Sequence, residues 1–334
     1  MGSLIEKCQT KKVNAYSILQ WNTLCSKLAT KESFPKVRES FLNWSFRKEL
    51  IKQFLQKEKP DILTIEEIDN YEEYKKEILD ELEVKYSGNF YEKTNKMMGI
   101  YIGVNSDKFT IMEEKKIVFD DLVKTEKNEE KKDEKKEEKK DEKKDEKKDE
   151  KKDEKKDEKQ DEEEEEEEEE EVEKKEIIEI KKQSNQIFII VKIQDNASKE
   201  FFYLIVTHLK AKKEFEEVRK NQVENIINYI KDNGLENNNI IVTGDFNAEP
   251  TYESIINFEK SGMKSVFDYK TLEFTTFKIR EEVEKRIIDY IFYKGNFIFG
   301  EECKSDIKID ENLGLPNLEF PSDHLYLKAN FQIK

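Results

Sequence analysis

The sequence predicts an α/β protein interrupted by one long charged insert. Three observations carry that expectation. Short runs rich in β-branched and aromatic residues alternate with longer runs whose apolar residues recur at i, i+3 and i+4. Residues 126–176 hold 18 Lys and 30 Asp or Glu among 51 positions, which leaves nothing to bury. Acids, amides and histidines stand at the ends of several apolar runs, where the rim of a sheet would present them together.

In chain order, AYSILQWN (15–22), DILTIEEID (61–69) and GIYIGVN (99–105) read as strands, as do FFYLIVTHL (201–209), NIIVTGDFN (239–247) and IIDYIFYK (287–294). KKIVFDD (115–121) and NQIFIIVKI (185–193) are the strands on either side of the charged block. FRKELIKQFLQKEK (46–59), YEEYKKEILDELE (71–83) and KEFEEVRKNQVENIINYIKDN (213–233) have helical spacing, with Pro60 stopping the first and Gly234 the third. The expected organisation is a short N-terminal tail over 1–12 and one globular domain made of 13–125 and 177–334, with 126–176 inserted into it.

Within the insert the repeat KKDE has a period of four, so each residue meets its own charge sign at i+4, which opposes a helix. Residues 161–171 are wholly acidic, and a solvated, disordered loop is the expectation. Lengthening a surface loop costs little entropy, so a tolerated insertion outweighs an interaction tail for basic partners. The block carries −12 of the chain's net charge of −16, and a globular part so near neutrality says nothing by itself about substrate.

Cys8, Cys25 and Cys303 are odd in number and too scattered for a metal site, which fits structural thiols in a reducing compartment. No stretch approaches 18 apolar residues and the N-terminus lacks an apolar signal region. Membrane insertion and secretion are therefore not expected, and a cytoplasmic location is.

Asn22 closes the first strand, Glu67 the second, His208 the one before GDFN, and Asp245 and Asn247 the GDFN strand itself; Asp289 lies inside an apolar strand, and Asp323 and His324 follow Pro321. Each has an ordinary reading. Asp245 and Asn247 alone would make an Asx turn, Glu67 alone a solvated acid, and His208 alone a core-edge hydrogen-bonding group. Asp289 is harder to dismiss, because an acid between RII and YIFY must be paired or functional. Jointly these residues supply hard oxygen ligands suited to Mg²⁺, with Mn²⁺ as a substitute, together with imidazoles for hydrogen bonding. Activating a water, neutralising phosphoryl oxygens and helping an oxygen leave are the needs of phosphate-ester hydrolysis, and these residue types meet them.

The segments LQWN, PDILTIEEID, VTHLKAK, VTGDFNAEP, IIDYIFY and FPSDH resemble, in order, the motifs of the endonuclease/exonuclease/phosphatase superfamily, over nearly all the chain apart from the insert. The resemblance implies a four-layer sandwich, two mixed β-sheets face to face with helices outside, and a magnesium-dependent hydrolase. HLKAK, TTFKIR, NWSFRKELI and LPNLEFPSDH look most like the nocturnin branch, ahead of the carbon-catabolite-repressor type deadenylases. That branch uses basic residues to hold phosphates, and the matching positions are Lys93, Lys210, Lys212, Lys278 and Arg280. Lys212 stands where nocturnins have an arginine, keeping charge but losing the bidentate fork. Glu66 stands where the superfamily usually has Gln, and strand alternation predicts that it points away from the face of Glu67.

The implied roles are Glu67 as principal metal ligand with Asn22 and Asp323 assisting, Asp245 as the group that orients or deprotonates water, Asn247 as donor to a phosphoryl oxygen, and Asp289 as the carboxylate fixing His324. His208 would bind phosphate. Two substrates fit the resemblance: the 2′-phosphate of NADP(H), or the 3′ end of RNA, especially poly(A). No basic and aromatic track extends from these residues and the acidic insert would repel a polynucleotide, which favours the dinucleotide. A lipid phosphodiesterase would need apolar loops that are not evident, and an inactive scaffold would lack catalytic residues that are present here. Nothing in the sequence names a protein partner.

Overall fold

The computed structural model describes residues 15–95, 97–122, 185–304 and 312–334, with backbone alone for 301–304. The tail over 1–12 and the insert over 126–176 lie outside the described residues. Among the described residues no helix is long and apolar enough to cross a membrane.

The elements in order are β1 (Tyr16–Asn22), α1 (Glu39–Leu42), α2 (Trp44–Glu58), β2 (Ile62–Ile68), α3 (Tyr71–Glu77), β3 (Tyr86–Glu92), β4 (Gly99–Asn105) and β5 (Phe109–Val118). Then follow β6 (Ile187–Asp195), β7 (Phe201–His208), α4 (Glu216–Asp232), β8 (Ile240–Asp245), α5 (Glu253–Lys260), β9 (Lys264–Ser265) and α6 (Tyr269–Leu272). The chain ends with β10 (Thr276–Ile279), β11 (Val283–Arg286), β12 (Asp289–Lys294), β13 (Phe297–Lys304) and β14 (Leu327–Ile333).

Two six-stranded sheets result, ordered β13-β14-β1-β2-β4-β3 and β5-β6-β7-β8-β12-β9, with β10 and β11 as a separate hairpin. Each sheet is mixed: β1 and β2 run parallel, as do β7 and β8, and their neighbours are antiparallel. Parallel neighbours need a crossover, which α2 supplies in one sheet and α4 in the other.

Alternation along the strands divides the apolar residues into three layers. Ile18, Ile62, Ile102 and Leu327 of one sheet meet Ile189, Leu204, Val206 and Ile291 of the other in a central core. On one outer face Leu19, Trp21 and Leu63 pack under Ile51 and Leu55 of α2. On the opposite face Ile205, Val242 and Phe292 pack under Val223, Ile226 and Ile230 of α4. Burying one such side chain fully is worth about 1.5–3 kcal/mol, and the sandwich of two sheets between helices follows from having three apolar interfaces.

The predicted helix over 71–83 is divided. After α3, Ile78 takes φ −122° and ψ −67°, and a short 3₁₀ turn covers Leu79–Glu81. Ile78, Leu79 and Leu82 all reach the core cluster that holds Ile51 and Leu55 of α2. Lys59, in the left-handed region before Pro60, and Gly234, at φ +66°, end the other two helices where expected.

Candidate active site

The site lies where both parallel pairs end. Pairing register assembles it: across β7, β8 and β12, His208 is level with Asp245 and Asp245 with Asp289. In the facing sheet Asn22 is level with Glu66. Three titratable side chains therefore share one row of one sheet, opposite an amide and acids from the other.

Gly244 sets the height of that row. Its φ is +136°, and a Cβ there would lie 1.8 Å from the Thr207 carbonyl oxygen. Only glycine allows β8 to approach β7 so closely. Phe246 turns into the outer core against Phe258, Tyr290 and Phe292. Asn247 N–H donates to Asp245 Oδ1 at 2.8 Å, so the Asx turn is present as well as the site. Asn247 itself is left-handed at φ +52°, and its side-chain amide donates to the Leu209 carbonyl at 3.1 Å, linking the β7 and β8 ends.

Glu67 departs from strand geometry. Its φ is +63°, and the β2–β4 ladder slips between Ile65 and Ile68. The slip overturns the alternation argument for Glu66, which is fully buried and accepts a hydrogen bond from Gln20 Nε2 at 3.0 Å. The same Gln20 nitrogen donates to Asp289 Oδ1 at 3.1 Å, so Glu66 belongs to the network behind the site. Burial, then Asp289, pushes the Glu66 carboxyl well above its usual range, which favours its protonated, glutamine-like form.

Ligand atoms of Glu67, His208 and Asp245 lie within 4.8 Å of one another. Asn22 Nδ2 donates to Glu67 Oε1 at 2.9 Å and to Asp245 Oδ2 at 3.1 Å, while its oxygen accepts from Leu24 N–H at 3.0 Å. Asn22 thus fixes the two carboxylates through its amide. Glu67 Oε2 accepts from Cys25 N–H at 2.9 Å. A cluster of two carboxylates and one imidazole, held by an amide and a backbone N–H, fits a hard divalent cation.

A second group shares Asp245 and comprises Asp289 and His324. His324 Nδ1 lies 3.0 and 3.2 Å from the two Asp289 oxygens, and Trp21 Nε1 donates to the His324 carbonyl at 2.8 Å. Burial disfavours a charged His324 ring, but Asp289, then Asp323, outweighs it and the pKa rises to about 10. For His208 burial, then Lys93, has the opposite result and holds the ring well below 6.5. The two histidines are therefore different species at neutral pH: His324 an imidazolium, His208 a neutral imidazole. Asp245, pushed up to about 6 by burial and then Asp289, lies between them, 3.7 Å from His208 Nε2 and 3.9 Å from His324 Nε2.

A cavity of about 210 Å³ opens over these groups, lined among others by Glu67, His208, Lys212, Asn247, Lys278 and Arg280. Lys93 is buried behind them, its pKa brought down to about 8 by desolvation and held from falling further by Glu67 and Asp245. Lys278 lies 2.5 Å from Asp323 Oδ2, so Asp323 is a partner of that lysine and, at 3.7 Å, of His324 Nε2. Lys210 is placed apart: its ammonium sits over the Phe215 ring at 4.6 Å. Arg286, which sequence reasoning passed over, lines the cavity and is held by Glu249 at 3.0 Å. The signal for it was present, a cation in the short strand EKR just before Asp289, but the β10–β11 hairpin that turns it inward was not legible.

No protein-family model matches the chain. Human nocturnin is 25% identical over 94% of this chain and 64% of its own length. The chain spans just under two thirds of the nocturnins it matches at that level. The RNA exonuclease NGL1 of Saccharomyces cerevisiae is 23% identical over 97% of this chain and 94% of its own. The fold is also that of the human nocturnin catalytic domain with bound sulfate, at a TM-score of 0.62 and 21% identity over 96% of this chain and 95% of that one. ANGEL2, a 2′,3′-cyclic phosphatase in complex with adenosine-2′,3′-vanadate, superposes at a TM-score of 0.69 with 17% identity over 96% of each chain.

The chain has the fold of the endonuclease/exonuclease/phosphatase superfamily, and nocturnins and RNA exonucleases are among its relatives. Its superfamily motifs are the segments that end at the cavity: LQWN brings Asn22, EEI brings Glu67, THL brings His208, GDFN brings Asp245 and Asn247, and SDH brings His324. The superfamily's sandwich explains why motifs so far apart in sequence converge, since each lies at the same end of the two parallel pairs.

Proposed function

We propose that the chain is a metal-dependent phosphoesterase of the nocturnin type that hydrolyses a phosphate ester of an adenine nucleotide, with the 2′-phosphate of NADP(H) as the favoured substrate. The observation that carries this reading is the pair of clusters sharing Asp245: Glu67–His208–Asp245 on one side and Asp245–Asp289–His324 on the other. Glu67 and Asp245, oriented by Asn22, would hold Mg²⁺ or Mn²⁺, which supplies Lewis-acid stabilisation of charge on the phosphoryl oxygens.

The remaining work belongs to side chains. Asp245, between the two imidazoles, is placed to accept a proton from the attacking water. The His324 imidazolium, fixed through Nδ1 by Asp289, offers Nε2–H to the phosphoryl or leaving oxygen. A neutral His208 would offer a phosphoryl oxygen a hydrogen bond without adding charge. Lys212, Lys278, Arg280 and Arg286 surround the same space with cations, of which Lys278, Arg280 and Arg286 are partly neutralised by Asp323, Glu284 and Glu249.

Enclosure supports this substrate class. A cavity of about 210 Å³ ringed by four cations suits several phosphates of one small molecule better than a polynucleotide track. ANGEL2, whose structure carries an adenosine vanadate at the 2′ and 3′ oxygens, has the same fold, which supports chemistry at an adenosine 2′ oxygen. The second reading, a 3′–5′ exoribonuclease acting on poly(A), has its support in the likeness to an RNA exonuclease along nearly its whole length. Magnesium-dependent phosphate release from NADP(H), run beside degradation of labelled poly(A), separates them. Phosphate release with intact poly(A) is expected, and the converse would overturn the dinucleotide assignment.

A further inference from the structure

Two arginines are entirely buried, and neither was marked by the sequence as part of the site: Arg47 and Arg219. Each is the fourth residue of the crossover helix that joins a parallel pair, α2 in one sheet and α4 in the other. Their hydrogen bonds run mainly to main-chain oxygens. Arg47 Nη1 donates to the carbonyls of Thr23 and Leu24 at 2.9 Å each and of Pro321 at 3.3 Å, and its Nε to that of Leu42 at 3.2 Å. Arg219 Nη1 donates to the carbonyls of Lys210 and Lys212 at 2.9 and 2.6 Å, and Nη2 to that of Lys213 at 3.3 Å. Each guanidinium therefore grips the loop that leaves a site-bearing strand, after Asn22 in one case and after His208 in the other.

The far sides of the gripped peptide groups matter more than the grip. A trans peptide places C=O and N–H on opposite sides of one rigid plane. The Thr23 carbonyl shares its plane with Leu24 N–H, which donates to Asn22 Oδ1; the Leu24 carbonyl shares its plane with Cys25 N–H, which donates to Glu67 Oε2. Leu24 is held left-handed, at φ +61°, between the two planes. In the other loop the gripped oxygens of Lys210 and Lys212 belong to the planes of Ala211 N–H and Lys213 N–H, with Lys212 at φ +77° and ψ 147° before the second plane. Ala211 and Lys212 line the cavity. Fixing those carbonyls fixes the opposite N–H groups of Ala211 and Lys213, and backbone N–H groups can seat an anion.

We propose that Arg47 and Arg219 are positioning residues with divided tasks, Arg47 aiming Glu67 and Asn22 through the peptides of Leu24 and Cys25, and Arg219 aiming a main-chain phosphate seat at Ala211–Lys213. The assignment rests on the metal-dependent phosphoesterase reading. A lysine in either place keeps the charge but, as a single point donor on a flexible stem, cannot hold two or three carbonyls in a fixed plane.

The test measures binding without turnover. Titrating Mg²⁺ alone and inorganic phosphate alone by calorimetry, Arg47→Lys should weaken Mg²⁺ affinity about tenfold or more, the scale of effects transmitted through a ligand's hydrogen-bond partners. Its phosphate affinity should stay within about twofold. Arg219→Lys should do the reverse, raising KM for NADP(H) more than it lowers kcat. Equal losses of both ligands in both variants, or no loss, would overturn the division. If neither variant folds, amide exchange in the unmodified protein decides: Mg²⁺ should slow Leu24 and Cys25, and phosphate Ala211 and Lys213, and any other pattern counts against it. Absence of Mg²⁺ binding by the unmodified protein would overturn the phosphoesterase reading and this assignment together; normal binding without selective loss overturns this assignment alone.

Discussion

Replacing Asp289 by Asn removes one charge and almost no volume, and the structure sets the size of the effect. His324 rises from 6.5 to about 10 against the pull of burial, with Asp289 its largest favourable partner, then Asp323. That interval corresponds to roughly 5 kcal/mol favouring the imidazolium. Without that largest partner the ring in the Asn variant titrates lower. The sign is definite. A histidine raised in the folded state contributes stability that is complete below 6.5 and disappears as pH climbs through about 10. In the variant that loss moves toward neutrality, and the basic limb of the kcat profile should move with it. An amide also leaves the ring free to adopt the wrong tautomer, for which the corresponding change in serine proteases costs about 10⁴ in kcat. The expected fall is about 10³–10⁴-fold, or roughly 4–5.5 kcal/mol. Stability should change less, because losing the pair is offset by relief of repulsion with Asp245. Phosphate release from NADP(H) between pH 5.5 and 10, with circular dichroism to confirm folding, is the assay. A folded Asp289→Asn protein with kcat within tenfold of the unmodified chain and an unmoved basic limb would refute the role given to the Asp289–His324 pair.

Glu67→Ala should retain the fold and lose activity by orders of magnitude, and excess EDTA should abolish turnover; near-normal rates in either case would remove the metal from the mechanism. Asp245 and Glu66 are both raised in the folded state, so their contribution to stability is complete below about pH 4; that of Asp245 falls as pH rises through about 6, by roughly 3 kcal/mol. Chelated protein should accordingly gain more in Tm from added Mg²⁺ at pH 7.5 than at pH 5, and equal gains would contradict the siting of the ion at Asp245. Gly244→Ala should cost about 3 kcal/mol or more, because its Cβ would lie 1.8 Å from a carbonyl oxygen at a φ of +136°. Urea unfolding within 1 kcal/mol of the parent would show that β8 can retreat from β7.

The strands were legible because both faces of each sheet are covered, so their apolar runs are dense and their limits sharp. The end of β1 at Asn22, of β7 at His208 and of β8 at Asp245 could be read directly, and with them the residues that face the cavity. Register was not legible. That Asp289 sits level with Asp245, and Asp245 with His208, depends on the pairing of strands up to 44 residues apart. Glu66 was misplaced because alternation assumes a regular strand, and no residue type announces a glutamate in the left-handed region. Arg47 and Arg219 were hidden for a different reason, since on an amphipathic helix a charged residue reads as solvated. The recurrence of arginine at the same place in two crossover helices became informative only with the topology known.

The irregularity in β2 has one more implication. Ile65 is opposite Tyr101 and Ile68 opposite Gly99, so one strand takes three steps where its neighbour takes two. Deleting a single residue there would restore an even ladder and relax a backbone that glutamate does not favour. The sheet would be more regular without the residue that the proposed chemistry requires. Fold quality and catalytic competence are therefore opposed at this one position, and selection for thermal robustness alone would drift toward a well-made sandwich with no acid in its mouth.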